Sequence, residues 1–204
     1  MKTLFMAALM AAASSATFAN ENFDAAASGS LPADWICGLT GKGSPVWEVE
    51  TSPSAPSKPN VLKQSGSGDF PWCAYTPAAL VDGYVEVKFR SLSGEDDQAG
   101  GVMWRWKDGD NYYVARANAL ENNISLYHTT KGKRRTIKYV DAPVALNAWH
   151  VLRVEFKGQA IKVFLDGVQY MDLENNHIAG SGAVGVWTKA DSVTEFDDFA
   201  FGTQ

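Results

Sequence analysis

Beyond residue 83 the sequence is cut into short runs rich in Val, Ile, Tyr, Phe and Trp, at 84–90, 101–106, 112–117, 124–128, 136–140, 149–156, 161–165, 183–189 and 193–201. They recur roughly every 8 to 12 residues, the rhythm of a β-sandwich or barrel. Between them stand Asp108-Gly109-Asp110-Asn111, Lys131-Gly132-Lys133, Lys157-Gly158-Gln159 and Asp166-Gly167. Each supplies a residue that tolerates positive φ, so each reads as a hairpin turn. No segment sustains an apolar period of 3.6 residues beyond one turn at 77–80, which excludes a helical fold. Seven of the eight prolines fall between Pro32 and Pro77. That stretch therefore predicts loops and short strands, with an irregular lead-in over 20–45 and strand signals at 46–49 and 61–64. The expected architecture is an all-β jelly-roll sandwich of two antiparallel sheets.

Alternation assigns the faces. In Tyr84-Val85-Glu86-Val87-Lys88-Phe89-Arg90 the apolar set faces one side and Glu86, Lys88 and Arg90 the other. Ile161, Val163 and Leu165 form another inward set, with Lys162 and Phe164 opposite. Val184 and Val186 point to the core, leaving Gly185, Trp187 and Lys189 together on the far face. Trp104 lies on the same side as Val102 and is read as core, opposite Arg105, while Trp106 stays open.

The first nineteen residues are set apart. Lys2, the apolar stretch 4–13 and Thr17-Phe18-Ala19 make the three-part pattern of an export signal, cut after Ala19. One domain over 20–204 follows, exported to the periplasm or secreted. No other run is long and apolar enough to span a bilayer. With 18 Lys plus Arg against 23 Asp plus Glu, the net charge of −5 excludes a nucleic-acid partner. In an oxidising compartment Cys37 and Cys73 are expected to form a disulfide. His128, His150 and His177 are too scattered to predict a zinc site.

Several phrases carry a family likeness: Leu31-Pro32-x-x-Trp35, Gly100-Gly101-Val102-Met103-Trp104-Arg105-Trp106, Asp110-Asn111-Tyr112-Tyr113-Val114-Ala115-Arg116, Leu165-Asp166-Gly167, the run 184–193, and Phe196-Asp197-Asp198-Phe199. Over nearly all of 23–202 the chain resembles exported bacterial proteins of the concanavalin A-like lectin/glucanase superfamily, and within it the domain called 3-keto-disaccharide hydrolase. The resemblance implies a jelly roll with a carbohydrate site on its concave sheet. Glucanases of that superfamily carry an E-x-D-x-x-E triplet on one strand, and this chain has none: Glu48-Val49-Glu50 lacks the rest, and Glu95-Asp96-Asp97 sits in a loop. A retaining two-glutamate mechanism, which needs carboxyls about 5 Å apart, is thereby disfavoured.

The candidate ligand-binding set is Arg105, Asn111, Tyr112, Arg116, Trp187 and Lys189. Aromatic faces stack on the C–H faces of pyranose rings, and Arg, Lys and Asn bond hydroxyls. For each residue alone, packing or a solvated ion pair is the plainer account. The basic run Lys131-Gly132-Lys133-Arg134-Arg135 would suit an anionic glycan, yet such a hairpin tip is more often a solvated edge. Asp197 and Asp198 resemble the calcium position of jelly-roll modules, although one aspartate pair falls short of six oxygens. The leading expectation is a monomeric, lectin-like protein that binds a carbohydrate and needs no cofactor. One alternative is a hydrolase or lyase of 3-keto-glycosides, with Glu86, Glu155 or a histidine as base and Arg105 or Lys189 holding an enolate. Another is an envelope interaction protein without a sugar ligand.

Overall fold

The computed structural model describes residues 18–203, Phe18 by its backbone alone, so most of the expected export signal lies outside the described residues. The described chain is built of strands and contains no α-helix. It opens with β1 (Phe18–Glu21), β2 (Trp35–Ser44), β3 (Trp47–Thr51), β4 (Asn60–Gln64) and β5 (Ser67–Leu80). There follow β6 (Gly83–Ser93), β7 (Ala99–Asp108), β8 (Asn111–Asn118), β9 (Asn123–Thr130) and β10 (Lys133–Asp141). Last come β11 (His150–Lys157), β12 (Ala160–Leu165), β13 (Val168–Glu174), β14 (Gly182–Trp187) and β15 (Val193–Gly202).

These strands form two antiparallel sheets. The eight-stranded sheet runs β13-β12-β11-β6-β15-β4-β3, with β1 also on β15, and the seven-stranded sheet runs β10-β9-β8-β7-β14-β5-β2. The hairpins β7-β8 and β9-β10 turn at the expected 108–111 and 131–133 signals, and β8-β9 turns over 119–122, outside those signals. β1 spans the expected cut after Ala19, with Ala19 opposite Phe201 and Asn20 opposite Ala200.

The proline-rich third differs from its expectation. The lead-in contains the ten-residue β2, and β5 runs for fourteen residues through Pro71 and Pro77, in place of loops and one helical turn. Proline removes a donor and leaves the acceptor. The Pro71 carbonyl still accepts the Thr188 N–H at 2.9 Å, so β5 keeps its place between β14 and β2. Cys37 and Cys73 face each other across β2 and β5 and are joined by a disulfide. With 36 residues between its ends, the bridge contributes roughly 3 to 4 kcal/mol in the chain-entropy treatment.

Strand alternation sets the main core. Val85, Val87 and Phe89 of β6, Leu152, Val154 and Phe156 of β11, and Ile161, Val163 and Leu165 of β12 meet Val102, Trp104, Tyr113, Ala115, Ile124, Leu126, Val184 and Val186 from the other sheet. Burying each large aliphatic or Phe side chain stabilises by about 1.5 to 3 kcal/mol. The two sheets nevertheless read differently along their strands. β6 and β11 alternate buried and part-exposed residues, whereas β8 and β9 are buried at seven consecutive positions. Such continuous burial means that the seven-stranded sheet is covered on both faces.

Candidate functional site

The second face of the seven-stranded sheet carries its own cluster, apart from the main core: Trp72, Ala74, Met103, Tyr112, Val114, Tyr127 and Trp187, with Phe70 and Trp106 packed against it. Strand parity puts them there, on the side opposite Cys73, Val102, Tyr113, Leu126 and Val186. Trp187 stacks on Phe70, centroids 6.0 Å apart and planes 11° apart. Its Nε1–H points to the Tyr112 hydroxyl at 3.4 Å, and that hydroxyl also meets Thr40 Oγ1 at 2.9 Å. Trp72 lies between β2 and the β7-β8 turn. A Cβ on Gly38 or Gly109 would come within 2.6 or 2.8 Å of its ring, so both positions need glycine. Trp187 and Tyr112 are both fully buried. They form the layer beneath the surface and cannot themselves be a stacking platform.

Beside this layer lies a buried charge node. Asp97 is 0% exposed, and its Oδ1 accepts Arg116 Nη1–H and Asn118 Nδ2–H, both at 2.8 Å. Its Oδ2 is paired with Lys189. Arg116 also donates to Glu121 at 2.7 Å and to the Tyr127 hydroxyl at 3.3 Å. Burial raises the Asp97 pKa above the usual carboxylate value, and the pull of Arg116 and Lys189 offsets only part of that. Burial opposes the Arg116 charge as well, yet Asp97, Tyr127 and Glu121 outweigh it and raise its pKa. The loop that delivers Asp97 is pinned from outside. Asp191 accepts the N–H groups of Glu95, Asp96 and Asp97 at 2.6, 3.0 and 3.1 Å. Burial acts against the Asp191 charge, but those three donors hold its pKa below the ordinary value.

Above Phe70 opens a cavity of about 390 Å³, lined by Lys42, Ser67, Asp69, Asp96, Arg134 and Lys189 among others. Arg134 reaches in from β10, paired with Thr129 of β9. Its guanidinium carbon sits 4.4 Å from the Phe70 centroid, 4.3 Å from Tyr127 and 5.9 Å from Trp187. In the sequence Arg134 stands out only as one member of a basic run. The signal that could single it out is register: it shares a face with Tyr127 and Thr129, whereas Lys133 and Arg135 are exposed.

Of the sequence-predicted set, Tyr112, Arg116, Trp187 and Lys189 come together here, and Arg105 and Asn111 do not join them. Arg105 has a left-handed φ of 49°, rare outside glycine, and the β7 register shifts beside it. The shift sends Trp106 to the outer cluster and turns Arg105 inward over the Phe156 ring at 5.7 Å. There its guanidinium donates to the carbonyls of Ile178, Val81 and Gly158 at 3.0, 3.2 and 2.7 Å, tying three loops together. Asn111 shapes the β7-β8 turn, donating to Asp108 at 2.8 Å and accepting the Lys131 N–H at 3.1 Å.

Glu86 and Glu155 lie on the outward face of the other sheet, both paired with Arg153, beside a cavity of about 510 Å³. A whole sandwich separates them from Lys189, since stacked sheets sit about 10 Å apart. Asp197 accepts Ser57 N–H, Ser57 O–H and Asp198 N–H at 2.8, 2.6 and 2.7 Å, and Asp198 pairs with Lys88. A carboxylate surrounded by donors does not fit calcium, which needs a shell of oxygen acceptors. No group of three or more His, Cys, Asp or Glu among the described residues is placed to hold a metal.

Two of the histidines do meet. His128 and His177 stack with centroids 4.0 Å apart, next to Thr130 and Asn175. Burial, then the charges of His177 and Arg135, hold the His128 pKa below its ordinary value. The folded state thus gives up a proton that the unfolded chain keeps, and stability falls as pH drops below about 6.5. The melting temperature is expected to decline between about pH 7.5 and about pH 5.5, and to decline less in His128→Asn. Equal slopes in the two proteins would rule this account out.

No protein-family model and no curated protein sequence matches the chain. Solved structures do. The carbohydrate-binding module CBM66 from Bacillus subtilis aligns with a TM-score of 0.65 at 19% identity, over 81% of this chain and 93% of that one. The chain is a concanavalin A-like jelly roll in fold. The cellulose-induced protein Cip1 aligns with a TM-score of 0.64 at 14% identity, covering 91% and 97% of the two chains. A β-glucanase from Bacillus licheniformis gives 0.55 at 12% identity, over 94% and 99%. No helix among the described residues is long and apolar enough to cross a membrane.

Proposed function

We propose that this protein is an exported, lectin-like domain that binds a carbohydrate in the cavity above Phe70. The observation that carries the reading is the mixture of groups on its wall: Lys42, Arg134 and Lys189 as donors, Asp69 and Asp96 as acceptors, and Phe70 as an aromatic floor. Neighbouring hydroxyls of a sugar both donate and accept, so they pair with such a wall, while the exposed edge of the aromatic adds apolar contact. The layer beneath, Trp187, Tyr112 and the Asp97 node, fixes these groups in place. Export is supported by the leader pattern of the first nineteen residues and by the Cys37–Cys73 disulfide.

A glycan array probed with wild type and with the Asp69→Asn/Asp96→Asn double variant tests this. Both aspartates are exposed, so the variant should melt within about 2 °C of wild type and lose at least about tenfold in affinity for the bound glycan. An array with no retained glycan would remove the reading. A 3-keto-glycoside cleavage assay on the same samples covers the hydrolytic alternative that the family likeness raises, and turnover would replace binding as the function.

A further inference from the structure

We propose that the bound sugar carries an oxyanion, a carboxylate or sulfate group, and that Arg134 is the residue that recognises it. The inference deepens the carbohydrate reading and rests on it. Its starting point is an orphan: Arg134 Nη1 is buried and has no hydrogen-bond partner, and Arg134 forms no ion pair among the described residues. Buried polar groups in folded proteins are nearly always bonded, so an exception next to a cavity marks a partner that arrives from outside.

Two neighbouring cations on this face are already engaged. Arg116 is shared between Asp97 and Glu121, and Lys189 is held by Asp97. Arg134 differs in being gripped by rings alone, at 4.3 Å from Tyr127 and 4.4 Å from Phe70. Contact with ring faces gives the guanidinium no hydrogen-bond acceptor, and a carboxylate or sulfate can take such an unpaired N–H fork with two parallel bonds. Burial, with the Arg116 charge adding to it, holds the Arg134 pKa below its ordinary value, and the fields of Tyr127 and Asp97 do not offset it. The cavity's own carboxylates do not fill that role. Asp69 and Asp96 are exposed at the rim, and Asp69 already accepts the Lys42 N–H at 2.9 Å. Lys42, also on the rim, adds a second cation for the same anion. A neutral hydroxyl would offer one acceptor and no charge to this fork.

The experiment titrates the protein with three oligosaccharides of equal length: a hexuronate, a sulfated one and a neutral one. One of the two acidic oligosaccharides should bind at least about tenfold tighter than the neutral one, and which of them does so names the oxyanion. That preference should shrink as salt rises from about 0.05 to about 0.5 M. Arg134→Gln should abolish the preference, lowering acidic-sugar affinity far more than neutral-sugar affinity, with Arg134→Lys in between because it keeps charge without the fork. Should Arg134→Gln fail to fold, the salt dependence and the exposed-site variant Lys42→Gln decide, both being expected to cut the preference. Equal binding of acidic and neutral sugars overturns the anion inference and leaves the carbohydrate reading standing, as does a preference that neither salt nor either variant alters. Binding of none of the three, together with an array that retains no glycan, overturns both.

Discussion

Asp97→Ala is expected to lower the unfolding free energy by about 3 to 5 kcal/mol, the cost of removing one partner from a buried ion pair. For a domain of this size that is a fall in melting temperature of roughly 6 to 20 °C. Three groups lose their acceptor at once: Arg116 Nη1, Asn118 Nδ2 and Lys189. Lys189 can turn to water, being about one-quarter exposed, but the Arg116 side chain is 3% exposed and keeps only Glu121 and the Tyr127 hydroxyl. Asp97→Asn should cost less, since its carbonyl still serves Arg116 and Asn118 while its amide faces Lys189 unfavourably. Equilibrium denaturation in urea gives both values. A loss below about 1 kcal/mol for Asp97→Ala would show that the node is not holding the sheet face together.

Trp104→Ala should be of similar size by a different route, about 3 to 5 kcal/mol from lost burial and the cavity left behind. The ring is fully buried, stacked on Tyr113 at 5.2 Å and on Phe156 at 6.0 Å, and so bridges the two sheets. Its indole N–H finds no acceptor among the described residues, which gives the test a second arm. Trp104→Phe removes that unsatisfied donor and keeps most of the apolar contact, so it should cost far less than alanine. Thermal melts of the two variants would separate packing from the polar atom, and equal losses would contradict this account.

Much of this arrangement is legible in the order of the residues. Alternation in 84–90 and 183–189 assigns Val85, Val87, Val184 and Val186 to the core, and Trp187 with Lys189 to the other face. Adjacent apolar residues in Tyr112-Tyr113-Val114-Ala115 already mark a strand covered on both sides. What escapes such reading is set by backbone geometry and by long-range partners. One left-handed residue at Arg105 reverses the parity of everything after it, so a correct alternation rule assigns Arg105 to the wrong face. Asp97 looks like the end of an acidic loop, Glu95-Asp96-Asp97, because the residue that pins the loop, Asp191, is more than ninety positions away. Arg134 is hidden inside a charge run whose other members are solvated, and only its pairing with β9 reveals it.

Coverage on both faces also divides the seven-stranded sheet by mobility. Strands β7, β8 and β14, walled in above and below, are expected to exchange their amides only when the whole domain opens, whereas β10 has exposed positions along its length and sits at the sheet's edge. Arg134 rides on that edge strand, while Phe70 and Trp187 belong to the interior of the sheet. Hydrogen exchange is therefore expected to be faster in β10 than in β5 and β14, so that one wall of the cavity would open more readily than its floor.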